Sequence, residues 1–277
     1  GTDAGTNHTV TLANAASGLA DPAATAADTE NDTSDWNGGT LSVQRIDAST
    51  NPDGSPFDVF SFLGGVTATG SISQGSDSSG TLTDSGTQYA TWSYTSASGL
   101  LSIAFNADAS SSLVQDVVRN LGYSNTTPFG DATLRFTLND GTTATTADVT
   151  VTSDSIFVTT TDDDAEGDAA DGFSLREALA RSVAQTGADT IVFASTVASG
   201  QTLTLGSDVT FGNGDTLDGS GAGSFALTLA ASSGGFILAG DATLASGSDD
   251  TLTVSAPISD GANAFNLTKT GAGTLIL

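Results

Sequence analysis

The fold is decided by the stretch Phe173-Ser-Leu-Arg-Glu-Ala-Leu179 and by Asp189-Thr-Ile-Val-Phe193, which follows it after a glycine at position 187. Ser174 and Glu177 have the spacing of a capping box, so a helix begins at Ser174. This pattern predicts a helix over Ser174–Gln185 that Gly187 closes. Three apolar residues at roughly helical spacing are expected to form its buried stripe: Leu175, Leu179 and Val183.

Very short apolar segments surround this helix, with Gly, Asn, Asp and Ser between them. Short strands at regular spacing with Gly-rich turns favour a parallel β-helix, a solenoid whose rungs of about 20 or more residues stack on one another. A second sandwich is the alternative. The helix lies where the first rung needs a cap over its free edge. The predicted strands are Ile156–Thr160, Thr190–Phe193, Thr202–Leu205, Val209–Phe211, Ala226–Leu229, Phe236–Leu238, Thr251–Val254 and Thr274–Leu277.

The first 153 residues have longer and more widely separated strands, which favour a two-sheet β-sandwich. One short helix interrupts them, capped by Ser110–Ser112 and ended by Gly122. We therefore predict an all-β protein, with a sandwich over residues 1–153 and a helix-capped solenoid over residues 154–277. The predicted sandwich strands are His8–Leu12, Thr40–Ile46, Phe57–Leu63, Val66–Ile72, Tyr89–Tyr94, Leu100–Phe105, Thr133–Leu138 and Ala147–Val151.

The N-terminal part resembles a known class of repeat. The segments Asp28-Thr-Glu-Asn-Asp32 and Asp35-Trp-Asn-Gly-Gly-Thr-Leu-Ser-Val43 are similar to the opening of cadherin-like, immunoglobulin-type repeats in giant bacterial adhesins and RTX-type proteins. Leu113-Val-Gln-Asp-Val-Val-Arg-Asn-Leu-Gly-Tyr-Ser-Asn125 resembles their helix-then-strand element. Thr133-Leu-Arg-Phe-Thr-Leu-Asn-Asp-Gly141 looks like their last hairpin. The resemblance implies a cadherin-like sandwich over about residues 7–153.

The C-terminal part resembles two further families. Val158-Thr-Thr-Thr-Asp162, Phe173–Leu179 and Gly187–Phe193 are similar to the CSLREA-type N-terminal segment of bacterial right-handed β-helix surface proteins, with Phe173 in place of the family's Cys. Leu267-Thr-Lys-Thr-Gly-Ala-Gly-Thr-Leu-Ile-Leu277 looks like the autotransporter-associated β-strand repeat. All three resemblances imply export and display at the bacterial cell surface, and none implies a catalytic centre.

The charge balance restricts the partners. The 277 residues include 32 acidic and 6 basic ones, a net charge of −26. Nucleic acid and anionic membrane surfaces are disfavoured by repulsion, and no apolar run approaches the roughly 20 residues of a membrane span. The chain lacks Cys, so disulfides and thiol chemistry are excluded. It also lacks Met, even at position 1, so we take it for a processed product or an excised piece. Its last residues, Thr274-Leu-Ile-Leu277, form an apolar strand with no stop signal, and we expect the native protein to continue beyond them.

The residues with catalytic potential are few. His8 is the single histidine, and the nucleophile-elbow motif G-x-S-x-G does not occur. Paired carboxylates are the serious enzymatic candidates, because glycoside hydrolysis needs two carboxyl groups at a set separation. The pairs Asp215 with Asp218 and Asp249 with Asp250 qualify by spacing. Their region lacks Trp and Tyr, and its arginines lie in the cap helix. We predict that the chain is not an enzyme, with a β-helix polysaccharide lyase or hydrolase as an alternative.

Two groups of acids are predicted to bind Ca²⁺, which prefers carboxylate and turn carbonyl oxygens. The alternative for both groups is that they are ordinary loop acids that water solvates and that bind no ion. The first group is Asp28, Glu30, Asp32 and Asp35, which Asp140 joins if its hairpin lies nearby. The second is Asp162, Asp163, Asp164, Glu166 and Asp168, in the loop before the cap helix.

The sequence thus favours a non-enzymatic, secreted bacterial surface module with a structural or adhesive role, stabilised by Ca²⁺. Its expected partners are surface glycans or proteins, or other copies of itself. A self-assembling filament, sheath or surface-layer subunit is the second alternative.

Overall fold

The computed structural model describes the strand backbone at residues 9–11 and 17–18, and residues 36–141, 144–166, 171–185, 187–221 and 224–277. The chain divides into two compact units. Unit 1 contains Gly1–Thr126 and Ala132–Thr152, and unit 2 contains Thr127–Asp131 and Ser153–Leu277. Strand accounts for 45% of the chain and helix for 9%, which confirms the predicted all-β class. In the described part of the chain, every helix is too short or too polar to cross a bilayer.

The described residues of unit 1 form two sheets that share one hydrophobic core. The larger sheet has eight strands in the order β1-β11-β10-β3-β8-β7-β6-β5, and the smaller one has the order β2-β9-β4. The helix α1 begins after its N-cap Ser110, whose side chain accepts a hydrogen bond from the Leu113 N–H. The strands and helix are β1 Thr9–Thr11, β2 Ser17–Gly18, β3 Thr40–Ile46, β4 Val59–Phe62, β5 Thr67–Ala68, β6 Ser78–Asp84, β7 Thr87–Thr95, β8 Leu100–Phe105, α1 Ser111–Arg119, β9 Leu121–Ser124, β10 Ala132–Asn139 and β11 Ala144–Thr152.

Alternation of apolar and polar residues decides which face of each strand in unit 1 is buried. In β10, every second residue from Ala132 to Leu138 is buried, and the residues between them are half-exposed. The core also contains Trp36, Trp92 and Tyr94. A two-residue period of this kind is what places one side of a sheet on a core.

Unit 2 is a parallel β-solenoid of about three turns, as predicted. Three parallel sheets form its faces, in the orders β12-β13-β16-β19-β22, β14-β17-β20-β23 and β15-β18-β21. The elements are β12 Ser155–Val158, α2 Leu175–Ala184, β13 Thr190–Phe193, β14 Gln201–Leu205, β15 Val209–Phe211, β16 Thr216–Asp218, β17 Ala226–Ala231, β18 Phe236–Leu238, β19 Ala242–Ala245, β20 Thr251–Val254, β21 Ile258–Ser259, β22 Leu267–Thr270 and β23 Thr274–Ile276.

Side chains stack in columns because equivalent residues of successive rungs pair in register. On the first face, the inward column consists of Ile156, Ile191, Leu217 and Leu244. All four are at most 3% exposed. The adjacent outward column is a row of hydroxyl residues: Ser155, Thr190, Thr216, Thr243 and Thr268. The solenoid interior is therefore a continuous apolar stack with polar side chains on its surface.

Helix α2 forms with the predicted capping box. The Ser174 side chain accepts a hydrogen bond from the Glu177 N–H, and the Glu177 carboxylate accepts one from the Ser174 N–H. Leu175 and Leu179 are buried as predicted, but Val183 is 49% exposed. That part of the prediction is wrong, because a residue eight positions after Leu175 has rotated off the buried face. Ser182, seven positions on, is 3% exposed and completes the face instead.

The edge of the first rung is covered by a segment that we call the strap, Thr127–Asp131. In the chain it lies between β9 and β10, but it belongs to unit 2. The Phe157 N–H donates to the Pro128 carbonyl at 2.8 Å, and Phe129 pairs antiparallel with Ile156. Pairing of this edge removes the open N–H and C=O groups that a first rung otherwise presents.

Aromatic packing joins the strap to α2. The rings of Phe129 and Phe173 lie 5.1 Å apart, and the Arg181 guanidinium lies within 6 Å of both. Gly130 has φ +86°, and a Cβ there would meet the Gln185 side chain at 2.1 Å. Glycine at this position therefore permits both the left-handed backbone and the close approach of Gln185.

Candidate functional site

Three carboxylates converge in the loop between β12 and α2. One oxygen from each of Asp164, Glu166 and Asp171 lies within 4.8 Å of the others. Asp164 is half-buried, and the other two are exposed. We call these three residues the acidic cluster.

Hydrogen bonds to the cap helix position this loop. The Ser174 hydroxyl donates to the Asp164 carbonyl at 3.0 Å, so the residue that caps α2 also holds the cluster in place. Asp163 forms a two-pronged ion pair with Arg176, with both N–O distances at 2.9 Å. The Gly206 N–H also donates to Asp163. Both its oxygens are thus occupied, and Asp163 serves as an anchor of the loop.

The chemistry of the acidic cluster suits a hard cation. Within the described residues, Oδ1 of Asp164 is buried and accepts no hydrogen bond. A buried carboxylate oxygen without a donor is costly, and a cation would supply the missing interaction. Three carboxylates are ligands of the type that Ca²⁺ prefers.

The structure brings together part of the second predicted group. Asp164 and Glu166 belong to the acidic cluster, whereas Asp162 accepts a hydrogen bond from the Thr160 hydroxyl at 3.0 Å. Asp168 lies outside the described residues. Asp171 was not among the predicted ligands. The signal that points to it is its place three residues before the N-cap Ser174, where the loop returns to the start of the helix.

The first predicted group falls largely outside the described residues. This holds for Asp28, Glu30, Asp32 and Asp35, and equally for His8. Asp140 is described and half-buried. It lies in the turn after β10, where the Gly141 N–H donates to the Asn139 side chain at 2.7 Å.

One carboxylate of each predicted pair, Asp215 and Asp250, forms hydrogen bonds that connect successive rungs. Asp215 is 1% exposed; its Oδ1 accepts from the Asp189 N–H at 2.9 Å and its Oδ2 accepts from the Ser182 hydroxyl. Asp250 is 3% exposed and accepts from the Phe225 N–H at 2.7 Å and from the Gly221 N–H at 3.2 Å. In both residues, each oxygen receives a donor.

The second members of these pairs behave differently. Asp218 accepts a hydrogen bond from the Ser220 N–H at 2.9 Å, in the turn that follows β16. Asp249 is exposed and has φ +67°, so it forms part of a tight turn.

Comparison of the chain with protein-family models, with curated proteins and with solved structures found no match in any of the three.

Proposed function

We propose that this chain is a structural or adhesive module of a secreted bacterial surface protein, and that Ca²⁺ stabilises the cap of its solenoid. The proposal follows the families that the sequence resembles, namely cadherin-like repeats and CSLREA-type β-helices. In this proposal, the carboxylates stabilise the fold and bind ions, and they do not take part in catalysis.

The observation that carries the proposal is the use of buried carboxylates in unit 2. Asp215 and Asp250 each accept a backbone N–H from the preceding rung, through Asp189 and Phe225 respectively. Hydrogen bonds from N–H groups to a carboxylate are among the stronger ones in proteins. Such ties favour a stiff rod whose surface presents binding groups at a regular spacing, which is what a projecting surface module needs.

The calcium part rests on the acidic cluster. Without an ion, three carboxylates at this distance repel one another, and the buried Oδ1 of Asp164 has no donor. A bound Ca²⁺ would remove both costs and tie the loop to α2 through Ser174. Binding to the folded state alone raises stability by about 2.7 kcal/mol at a hundredfold excess over Kd.

Calorimetric melting tests the calcium part. We expect Ca²⁺ to raise the melting temperature of unit 2 by several degrees above that in chelator at equal ionic strength. The double variant Glu166→Gln, Asp171→Asn should lose this shift, whereas the exposed control Asp249→Asn should keep it. An identical shift in the double variant would place the ion elsewhere, and the absence of any shift would remove calcium from the proposal.

Binding and assembly assays test the structural role. We expect the purified chain either to bind surface glycans or proteins on an array, or to form ordered polymers under the electron microscope. Release of reducing ends or unsaturated sugars from acidic polysaccharides would contradict the proposal and favour the lyase or hydrolase alternative. The variant Asp215→Asn would then show whether the buried carboxylate takes part in that reaction.

A further inference from the structure

A second group of acids lies at the other end of α2, away from the acidic cluster in sequence. The pairing Ser155 with Thr190 and Thr190 with Thr216 is in register. The residues that precede them therefore occupy equivalent places in three successive rungs: Asp154, Asp189 and Asp215. We call this row the aspartate ladder.

The middle residue of the ladder, Asp189, is a buried acid whose hydrogen bonding is incomplete among the described residues. Asp189 is 6% exposed. Its Oδ1 accepts one hydrogen bond from the Gln185 side-chain amide at 3.2 Å. Within the described part of the chain, its Oδ2 is buried and accepts none. Asp215 differs, because both of its oxygens receive donors.

A chain of hydrogen bonds connects Asp189 to the strap. The Asp131 N–H of the strap donates to the Gln185 Oε1 atom, and the Gln185 amide donates in turn to Asp189. The Asp131 carboxylate accepts from the Ser153 N–H at 2.9 Å. Gln185 is the C-cap residue of α2, so the strap, the helix and the ladder meet at this side chain.

The charges around Asp189 are mostly negative. Asp215, Asp131 and Asp154 approach it from the next rung, the strap and the first rung, respectively. The two basic residues of α2 are Arg176, which pairs with Asp163, and Arg181, whose guanidinium lies over the Phe129 and Phe173 rings. Among the described residues, a charged Asp189 is therefore buried near like charges with Gln185 as its one side-chain donor, and each of these conditions disfavours the carboxylate form.

We propose that Asp189 is a proton-operated latch of the solenoid cap: the neutral carboxyl lets the strap close on α2, and the charged carboxylate loosens it. Loosening follows because the strap carries Asp131, which the charged Asp189 repels. A proton is a better fit than a metal ion, since the convergence of three ligand oxygens within 4.8 Å was found, among the described residues, at the acidic cluster and not here.

The pH range follows from the titration of this group. Burial is the largest cause, and it raises the pKa of Asp189 from 3.8 to about 6; the Gln185 hydrogen bond opposes the rise, and the three carboxylates add to it. The folded protein therefore holds this proton more tightly than the unfolded chain does. The resulting stabilisation is complete below pH 3.8 and is lost as the pH rises through about 6.

Carbon-detected NMR of the Asp carboxyl groups tests the first half of the proposal in the intact chain. We expect one carboxyl resonance to titrate near pH 6 and to be absent from the Asp189→Asn variant. If every carboxyl group titrates below about pH 5, the latch does not exist. The variant serves only to assign the resonance. Whether any carboxyl group titrates near pH 6 is read in the unmodified protein alone, so a negative result is decisive even if the variant folds poorly.

Hydrogen exchange at the strap tests the second half. The protection factors of the Asp131 and Ser153 amides should fall several-fold between pH 5 and 7.5 in the unmodified protein. They should stay high at both pH values in Asp189→Asn, and the control Asp249→Asn should behave like the unmodified protein. Equal pH dependence in Asp189→Asn would overturn the proposal. A second result would also overturn it: Ca²⁺ restores protection at pH 7.5 in the unmodified protein but not in Asp189→Asn. Asp189 would then bind a metal ion rather than a proton.

Discussion

Asp58 shows how single buried acids organise unit 1. It is fully buried; its carboxylate accepts hydrogen bonds from the Ser55 N–H, the Tyr123 hydroxyl and the Asn125 side chain. The Tyr94 hydroxyl donates to its backbone carbonyl. Burial, and then the charge of Asp58, raise the pKa of Tyr94 to about 12 and that of Tyr123 well above its ordinary value. Both tyrosines therefore remain donors at neutral pH.

Removal of the Asp58 carboxylate should destabilise unit 1 strongly. We expect Asp58→Ala to lower its free energy of unfolding by about 3 kcal/mol, because buried donors lose their acceptor. Asp84→Ala, at the exposed end of β6, should change it by about 0.5 kcal/mol or less. Chemical denaturation followed by tryptophan fluorescence measures both. Equal effects of the two changes would show that the network around Asp58 contributes no stability.

Sequence reasoning found the local side chains and missed those with distant partners. The pair Ser174 and Glu177 was predictable, because a capping box lies within four residues of chain. Asp58 meets Tyr123 across 65 residues, and Asp189 meets Asp215 across 26. Nothing in the local pattern distinguishes these acids from solvated loop acids. Asp171 was partly predictable. The acidic loop that contains it was recognised in the sequence, but its approach to Asp164 depends on the path of the chain.

At the scale of elements, the helix α2 depends on its N-cap. We expect Ser174→Ala to lower the free energy of unfolding of unit 2 by about 1–2 kcal/mol, because it removes a helix cap as well as the hydrogen bond to the Asp164 carbonyl. Ser233→Ala, in an exposed turn, is the matched control and should have little effect. Circular dichroism during thermal denaturation is the measurement. If the two variants melt alike, the capping box is not what stabilises the helix.

Because the inward side chains stack in a buried column, substitutions on the two faces of one strand should differ in their effect on the free energy of unfolding. We expect Leu217→Ala to cost about 2–5 kcal/mol, since it opens a cavity in a column that is fully buried. Thr216→Ala, on the outward face of the same strand, should cost about 0.5 kcal/mol or less. Urea denaturation of each variant gives the comparison. A large loss in Thr216→Ala would mean that the hydroxyl column supports the solenoid as much as the apolar column does.

The elements themselves were predicted unevenly. The strand Leu100–Phe105 was found at the same residues, because its apolar run is strong. Strand β6, Ser78–Asp84, was not predicted, since its sequence is Ser-Ser-Gly-Thr-Leu-Thr-Asp and Leu82 is its one buried residue. The two-residue strand β5 replaces the longer predicted segment Val66–Ile72. Strands with little apolar side chain are formed by their neighbours in the sheet, and this context is absent from the local sequence.

At the scale of the molecule, net charge should set the salt dependence of stability. With 32 acidic and 6 basic residues, the folded chain repels itself. We expect the melting temperature to rise as NaCl increases from about 20 to about 200 mM, because this shortens the screening length to below about 10 Å. Sucrose at equal osmolarity serves as the uncharged control. An unchanged melting temperature in salt would show that the carboxylates are too far apart, or too well paired, to repel.

Because of the strap, the two units are not separated by a single position in the sequence: Thr127–Asp131 belongs to unit 2, although it precedes the last strands of unit 1. A protease that cuts between Thr152 and Ser153 would produce two fragments, yet the N-terminal fragment would keep Thr127–Asp131, which pairs with β12 of the other. We therefore expect the nicked protein to elute as one species in size-exclusion chromatography and to separate only in denaturant. Because the strap pairs with β12, we expect the two fragments to stay associated after this one peptide bond is cut.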